Sequence, residues 1–145
     1  MTAGISAILT AAGESTRMGQ LKPLLPWCGV TLIEYQIANL LHAGLDEVIV
    51  VLGHEADAIL PRIKMLKATH VVNPDYRRGK ATSIKTGLRL VSPDADAIVL
   101  LAVDQPRSGD LIALVLHSHV TNNALITSPR YQGRGGHPVV FSSAL

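Results

Sequence analysis

Leu9-Thr10-Ala11-Ala12-Gly13-Glu14-Ser15-Thr16-Arg17-Met18-Gly19-Gln20-Leu21-Lys22-Pro23-Leu24-Leu25-Pro26 decides how this 145-residue chain is read. The apolar run Ile5 to Leu9 leads into it and predicts a first β-strand over Ser6–Thr10. Small residues then let the backbone turn sharply and come close to a ligand. Arg17 and Lys22 hang two cations on the same loop. Exposed backbone N–H groups with fixed positive charge beside them suit a polyphosphate. The competing reading is an ordinary surface turn, since the loop holds only two glycines.

The commoner phosphate loops do not fit. A Walker A loop has four residues between its glycines, then Lys-Ser/Thr opening a helix. Here five residues separate Gly13 from Gly19, Lys22 is not adjacent to Gly19, and Pro23 and Pro26 oppose a helix at that point. The dinucleotide fingerprint G-x-G-x-x-G is absent. A nucleophile elbow G-x-S-x-G around Ser15 fails because Arg17 stands at its last position.

Strands and helices alternate along the rest of the chain. Thr31 to His42 carries a helical stripe of Leu32, Tyr35, Ile37, Leu40 and Leu41, with Thr31 and Glu34 spaced as a capping box and Gly44 suited to the end. Glu47–Leu52 is β-branched and apolar, as a buried parallel strand requires. Glu55–Leu66 predicts a helix that Pro61 opposes. Thr69–Asn73 predicts a strand, Lys80–Leu90 a helix, and Asp96–Val103, the longest apolar run, a central strand. Ser108 caps a helix over Gly109–His119, and strands at Ala124–Thr127 and His137–Phe141 follow. This is the pattern of a parallel α/β sheet of right-handed βαβ units. In such sheets ligands bind at the carboxyl ends of strands, where the strand order switches. The loops after the first strand and after Val103 fall on that edge.

Composition narrows the function. Hydrophobic residues make up 48% and charged ones 17%, which is the balance of a packed domain. The aromatics are only Trp27, Tyr35, Tyr76, Tyr131 and Phe141, so the core is aliphatic. A single cysteine, Cys28, excludes an internal disulfide and fits the cytoplasm. Met1 to Leu9 lacks the basic start of a signal peptide, and no apolar run has membrane-spanning length. A net charge of +2 does not point to nucleic acid. Eight of the 13 basic residues nevertheless lie between Arg62 and Arg89, where Asp75 is the one acid. That segment is either a solvated basic face or the approach of an anionic substrate.

Three further places could carry chemistry. Asp104, in Ala102-Val103-Asp104-Gln105-Pro106, follows the most apolar strand. A carboxylate there suits Mg²⁺, a hard cation that takes oxygen ligands; equally it suits a turn before Pro106. In Asn73-Pro74-Asp75-Tyr76-Arg77-Arg78-Gly79-Lys80-Ala81-Thr82-Ser83, Ser83 and the amides at a helix start could hold a nucleotide, or the segment is a Pro turn and cap. Gly133-Arg134-Gly135-Gly136-His137-Pro138 reads from its residues as a hairpin turn with His137 beside it. His117 and His119 are two apart and share no helix face, and no H-E-x-x-H or Cys/His cluster points to zinc.

With these residues in view, the chain resembles the MobA-like nucleotidyltransferases, most of all their molybdenum cofactor cytidylyltransferase branch. That branch opens on a loop of the form L-x-A-G-x-S-x-R-M-G-x-x-K-x-L-L-P, which Ala12, Gly13, Ser15, Arg17, Met18, Gly19, Lys22, Leu24, Leu25 and Pro26 match. Broader sugar-phosphate nucleotidylyltransferases share only its A-G-x-x-x-R-M part. The Asp104–Pro106, Asn73–Ser83 and Gly133–Pro138 segments also look like family segments, with Lys80 standing where methionine is usual.

The resemblance implies a three-layer, Rossmann-like, mostly parallel sheet with helices on both faces, like that of nucleotide-diphospho-sugar transferases. It implies Mg²⁺-dependent transfer of a nucleoside monophosphate from CTP, or secondly GTP, to a molybdopterin-type acceptor, with release of pyrophosphate. Arg17, Lys22 and Asp104 would be catalytic, with Asp104 holding the metal. Ala11, Ala12, Gly13, Glu14, Ser15, Arg17, Lys22, Asn73, Gly79 and Ser83 would bind nucleotide, and Gln105, Gly136 and His137 the acceptor. A molybdoenzyme or accessory protein is the implied partner, and neither nucleic acid nor membrane is. Relatives supply a further acidic metal ligand in a G-D motif after the G-H-P segment, so residues 1–145 are expected to be the NTP-binding part of a single domain whose end is missing. Two other readings stay open: a sugar- or polyol-phosphate nucleotidylyltransferase, and a nucleotide-binding module with little turnover.

Overall fold

The computed structural model describes residues 4–144 except Ser15 and Met18, and the backbone alone for Thr16, Arg17 and Tyr131. Six strands build the main sheet: β1 (Gly4–Ala11), β2 (Glu47–Leu52), β3 (Thr69–Val72), β4 (Ala95–Ala102), β5 (Ile126–Thr127) and β6 (Val139–Ser142). Their order is β3-β2-β1-β4-β6-β5. The first four are parallel, and β6 runs antiparallel to both β4 and β5. From β1 the chain steps outward through β2 and β3, then returns to place β4 on the other side of β1. The strand order therefore reverses between β1 and β4.

Four helices cover the sheet: α1 (Leu32–His42), α2 (Ala56–Ile63), α3 (Lys80–Leu88) and α4 (Gly109–Thr121). Alternation along the strands decides which face each helix meets. Ala7, Leu9 and Ala11 of β1, with Val50 and Leu52 of β2 and Val99 and Leu101 of β4, pack under Ile33 and Ile37 of α1, Ile59 of α2 and Ile112 of α4. Ile8, Ile49, Val51 and Ile98 point to the opposite face. There α3 approaches so closely that a Cβ on Gly87 would lie 2.7 Å from Ile8 Cγ2 and 3.2 Å from Val51 Cγ2. Gly87→Val is therefore expected to destabilise the fold by about 2–3 kcal/mol through overpacking, read from a denaturant unfolding curve.

Local sequence explains the helix ends. Thr31 Oγ1 accepts from the Glu34 N–H at 3.3 Å, and the Thr31 N–H donates to Glu34 Oε1 at 3.4 Å, which completes the expected capping box. Gly44, at φ +93°, takes the left-handed position after α1. Ser108 Oγ caps α4 by accepting from the Leu111 N–H at 3.2 Å. α2 is shorter than the expected Glu55–Leu66, running from Ala56 to Ile63, and it takes Pro61 within it even though the ring lacks the N–H that would bond back to Asp57. β3 ends at Val72 and β4 spans Ala95–Ala102, one residue short of the expected ends. His119 is a core residue, with Nδ1 2.8 Å from Thr127 Oγ1, and burial holds its imidazole below the usual pKa.

Candidate active-site cleft

The loop after β1 turns back on itself as a small hairpin, Thr16–Arg17 against Gln20–Leu21, with Gly19 at φ +77°. A 3₁₀ turn over Lys22–Leu24 follows, its second position filled by Pro23. The prolines thus exclude the helix that a Walker A loop would open here. Register places Thr10 of β1 beside Ala102 of β4, so the loop after β1 and the turn holding Asp104 leave the same sheet edge.

Between them, where the strand order reverses, lies a cleft of about 420 Å³. Of the residues expected to form a site, Ala11, Ala12, Gly13, Glu14, Ser83, Asp104, Gln105 and His137 line it. Lys22 sits next to the lining residue Pro23 without lining the cleft itself, and Asn73, Gly79 and Gly136 also stand back from it. Ser15 and the side chain of Arg17 lie outside the described residues.

The residues that stand back are tied to those in front. Asn73 is buried; its Nδ2 donates to Thr82 Oγ1 at 2.9 Å and Ser83 Oγ at 3.0 Å, and its Oδ1 accepts from the Asp75 N–H at 2.9 Å. It positions Ser83 rather than facing a ligand. Because Ser83 Oγ accepts from Asn73, the hydroxyl hydrogen remains available to the cleft. Gly79 caps α3 at φ +118°, a conformation that disfavours other residues. Gly136 N–H donates to Pro129 O at 2.9 Å beside the short hairpin Arg130–Tyr131 with Arg134–Gly135.

Glu14 is not a free anion: its Oε1 lies 2.8 Å from Arg77 Nε in an exposed pair. Arg77 in turn lies over the Tyr76 ring, 5.6 Å from its centre, and Tyr76 Oη is 3.3 Å from His54 Nδ1. Of the basic segment Arg62–Arg89, Lys80 is the one cation lining the cleft among the described residues. His137 Nδ1 is 3.3 Å from Leu100 O, so the proton belongs on Nδ1 and Nε2 carries the lone pair when the ring is neutral.

Sequence reasoning passed over the groups that hold the Asp104 turn. Gln36 of α1 is fully buried. Its Nε2 donates to Val103 O at 3.1 Å, Gln105 O at 2.8 Å and, shared, Ala102 O at 3.3 Å, while its Oε1 accepts from the Arg107 N–H at 3.2 Å. The signal was a polar residue on the buried stripe of α1, between Ile33 and Leu40. Gly53 was also missed: a Cβ there would sit 2.8 Å from Ala12 O and 2.9 Å from Tyr76 Cβ, so glycine lets three cleft segments converge. Its signal was a glycine directly after a buried strand.

Residues 7–145 match the MobA-like NTP transferase domain. A curated relative from Escherichia coli K12, named molybdenum cofactor cytidylyltransferase, is 32% identical over 95% of this chain and 70% of its own length. Another, from Paenarthrobacter nicotinovorans and named nicotine blue oxidoreductase, is 34% identical over 97% of this chain and 72% of its own length. The crystal structure of Rv0371c from Mycobacterium tuberculosis H37Rv superposes with a TM-score of 0.86 at 30% identity, covering 99% of this chain and 74% of that one, and the same protein has been crystallised with manganese. The chain belongs to the MobA-like NTP transferase family.

Proposed function

We propose that the chain transfers a nucleoside monophosphate from a nucleoside triphosphate, CTP before GTP, to the phosphate of a molybdopterin-type acceptor, releasing pyrophosphate. One observation carries the reading: the loop after β1, Ser83, Asp104, Gln105 and His137 meet at one cleft where the strand order reverses. Asp104 is exposed there and suits magnesium in its usual mode, one carboxylate shared with waters and substrate phosphates. No group of three or more His, Cys, Asp or Glu side chains gathers among the described residues, so an all-protein metal cage is not what this cleft offers. When bound, the ion supplies charge neutralisation on the phosphates.

In this reading Ala11, Ala12 and Gly13 lay their backbone against base and ribose, and Asn73 and Gly79 hold Ser83 and the start of α3 in place for it. Lys22, with Arg17 and Ser15 of the same loop, holds phosphate oxygens, and Glu14 braces the loop through Arg77. Gln105, Gly136 and His137 border the acceptor. An acceptor oxygen forms the bond to the α-phosphorus as the bond to the β-phosphate oxygen breaks, and pyrophosphate leaves with the electron pair. The acceptor phosphate is already largely ionised at neutral pH, so no strong base is required. Positioning and charge neutralisation carry the catalysis. On the same reading the protein works in the cytoplasm and hands its product to a molybdoenzyme or accessory protein. Among the described residues, no helix is long and apolar enough to cross a membrane.

The test is pyrophosphate release with each of the four NTPs and Mg²⁺, offering molybdopterin against sugar and polyol phosphates. The expected result is release with molybdopterin, fastest with CTP. Equal or faster release with sugar phosphates would move the assignment to a sugar-phosphate enzyme. Tight Mg–NTP binding without turnover would make the chain a binding module.

A further inference from the structure

We infer that Arg107 is a positioning residue that turns the Gln105 carboxamide so its NH₂ group faces the cleft and grips a phosphoryl oxygen beside Asp104; this rests on the phosphate-transfer reading above. Arg107 spends its guanidinium on three acceptors. Nε donates to His137 O at 2.8 Å, Nη1 to Pro106 O at 2.8 Å, and Nη2 to Gln105 Oε1 at 3.0 Å. A guanidinium has donors only, so the carboxamide must meet it with its oxygen. The rest of Gln105 is also committed: its N–H donates to Ala102 O at 3.1 Å and its carbonyl accepts from Gln36 at 2.8 Å. What remains is Nε2, with two N–H donors and no partner among the described residues, on a side chain that lines the cleft.

A donor pair next to the Asp104 carboxylate calls for an oxygen acceptor. Gln105 thus complements the carboxylate: Asp104 takes the cation and Gln105 takes an anionic oxygen of the same phosphate. The oxygen belongs either to the acceptor's phosphate or to the triphosphate. Arg107 also ties His137 to this turn through the His137 carbonyl, so one guanidinium sets both sides of the cleft mouth.

The test uses the ¹⁵N-labelled chain, titrated with inorganic phosphate and, separately, with a non-hydrolysable Mg–CTP analogue. The Gln105 side-chain NH₂ pair is identified by its loss in Gln105→Leu. Saturable movement of that pair is expected with one of the probes. Phosphate as the active probe places the oxygen on the acceptor, and the nucleotide places it on the triphosphate. Arg107→Met should weaken binding of the active probe about tenfold, the loss of one hydrogen bond to a charged group, with backbone signals away from residues 102–138 unchanged. Arg107→Lys should recover part of it. The Arg107→Met/Gln105→Leu double variant should bind no worse than Gln105→Leu alone. A Gln105 pair that moves with neither probe, unaltered binding in Arg107→Met, or losses that multiply in the double variant would each overturn the inference. Phosphate responses as expected, with no nucleotidyl transfer to any acceptor, would sink the transfer reading and leave this assignment standing.

Discussion

Replacing Asp104 with alanine is expected to lower nucleotidyl transfer about 1,000-fold while leaving the fold intact. The carboxylate is exposed, and its side chain makes no hydrogen bond among the described residues. Its removal therefore costs the packing nothing. On the proposed reading, what is lost is the anchor for a cation that neutralises phosphate charge as the reaction proceeds, a contribution of several kcal/mol. Asp104→Asn keeps the shape and removes the charge, so it should fall nearly as far. Assays across a range of Mg²⁺ and Mn²⁺ concentrations make the cause visible, because weakened metal binding is partly restored by more metal. An activity loss of less than tenfold in both variants would remove Asp104 from the metal site. A parallel thermal melt should show no change.

Gln36→Leu is expected to do the opposite: it damages the fold first and activity as a consequence. Leucine has nearly the same volume but leaves the carbonyls of Val103 and Gln105 and the N–H of Arg107 without their buried partner. Each unsatisfied buried group costs about 1–3 kcal/mol, and partial rehydration of the turn limits the sum to about 2–4 kcal/mol. Gln36→Glu should cost more, since a carboxylate cannot donate to carbonyls and carries charge into a fully buried position. Denaturant unfolding of the three proteins orders them wild type, Leu, Glu. A Leu variant as stable as wild type would show that the turn at residues 102–107 does not need its clip from α1.

These two residues also show what the sequence could and could not disclose. The place of Asp104 at the cleft was legible because the end of the most apolar strand lies at the carboxyl edge of the sheet, although spacing alone allowed a turn before Pro106 equally. The α/β order was legible because strand and helix periodicities differ, and because Thr31, Glu34, Ser108 and Gly44 mark helix ends by local hydrogen bonding alone. The cleft's floor was legible in outline, since strand alternation sends two loops to one edge. Gln36, Gly53 and Arg107 were not, because each meets a partner about 30–70 residues away in the chain — Gln105, Ala12 and His137 respectively — that only tertiary packing brings near. Asn73 and Ser83 show the intermediate case. Both were singled out from one motif, but only the fold separates the residue that lines the cleft from the one that holds it. The length of α2 was less legible: the pattern extends to Leu66, but the helix ends at Ile63.

In the proposed reaction, chemistry at this cleft breaks the bond between the α- and β-phosphates. Radiolabelled CTP tests it directly: one sample labelled at the α-phosphate and one at the γ-phosphate, each incubated with the 145-residue chain, Mg²⁺ and molybdopterin. The α-label is expected to move onto the acceptor and the γ-label to appear in pyrophosphate. Release of the γ-label as inorganic phosphate, with the α-label remaining on a nucleoside diphosphate, would contradict it.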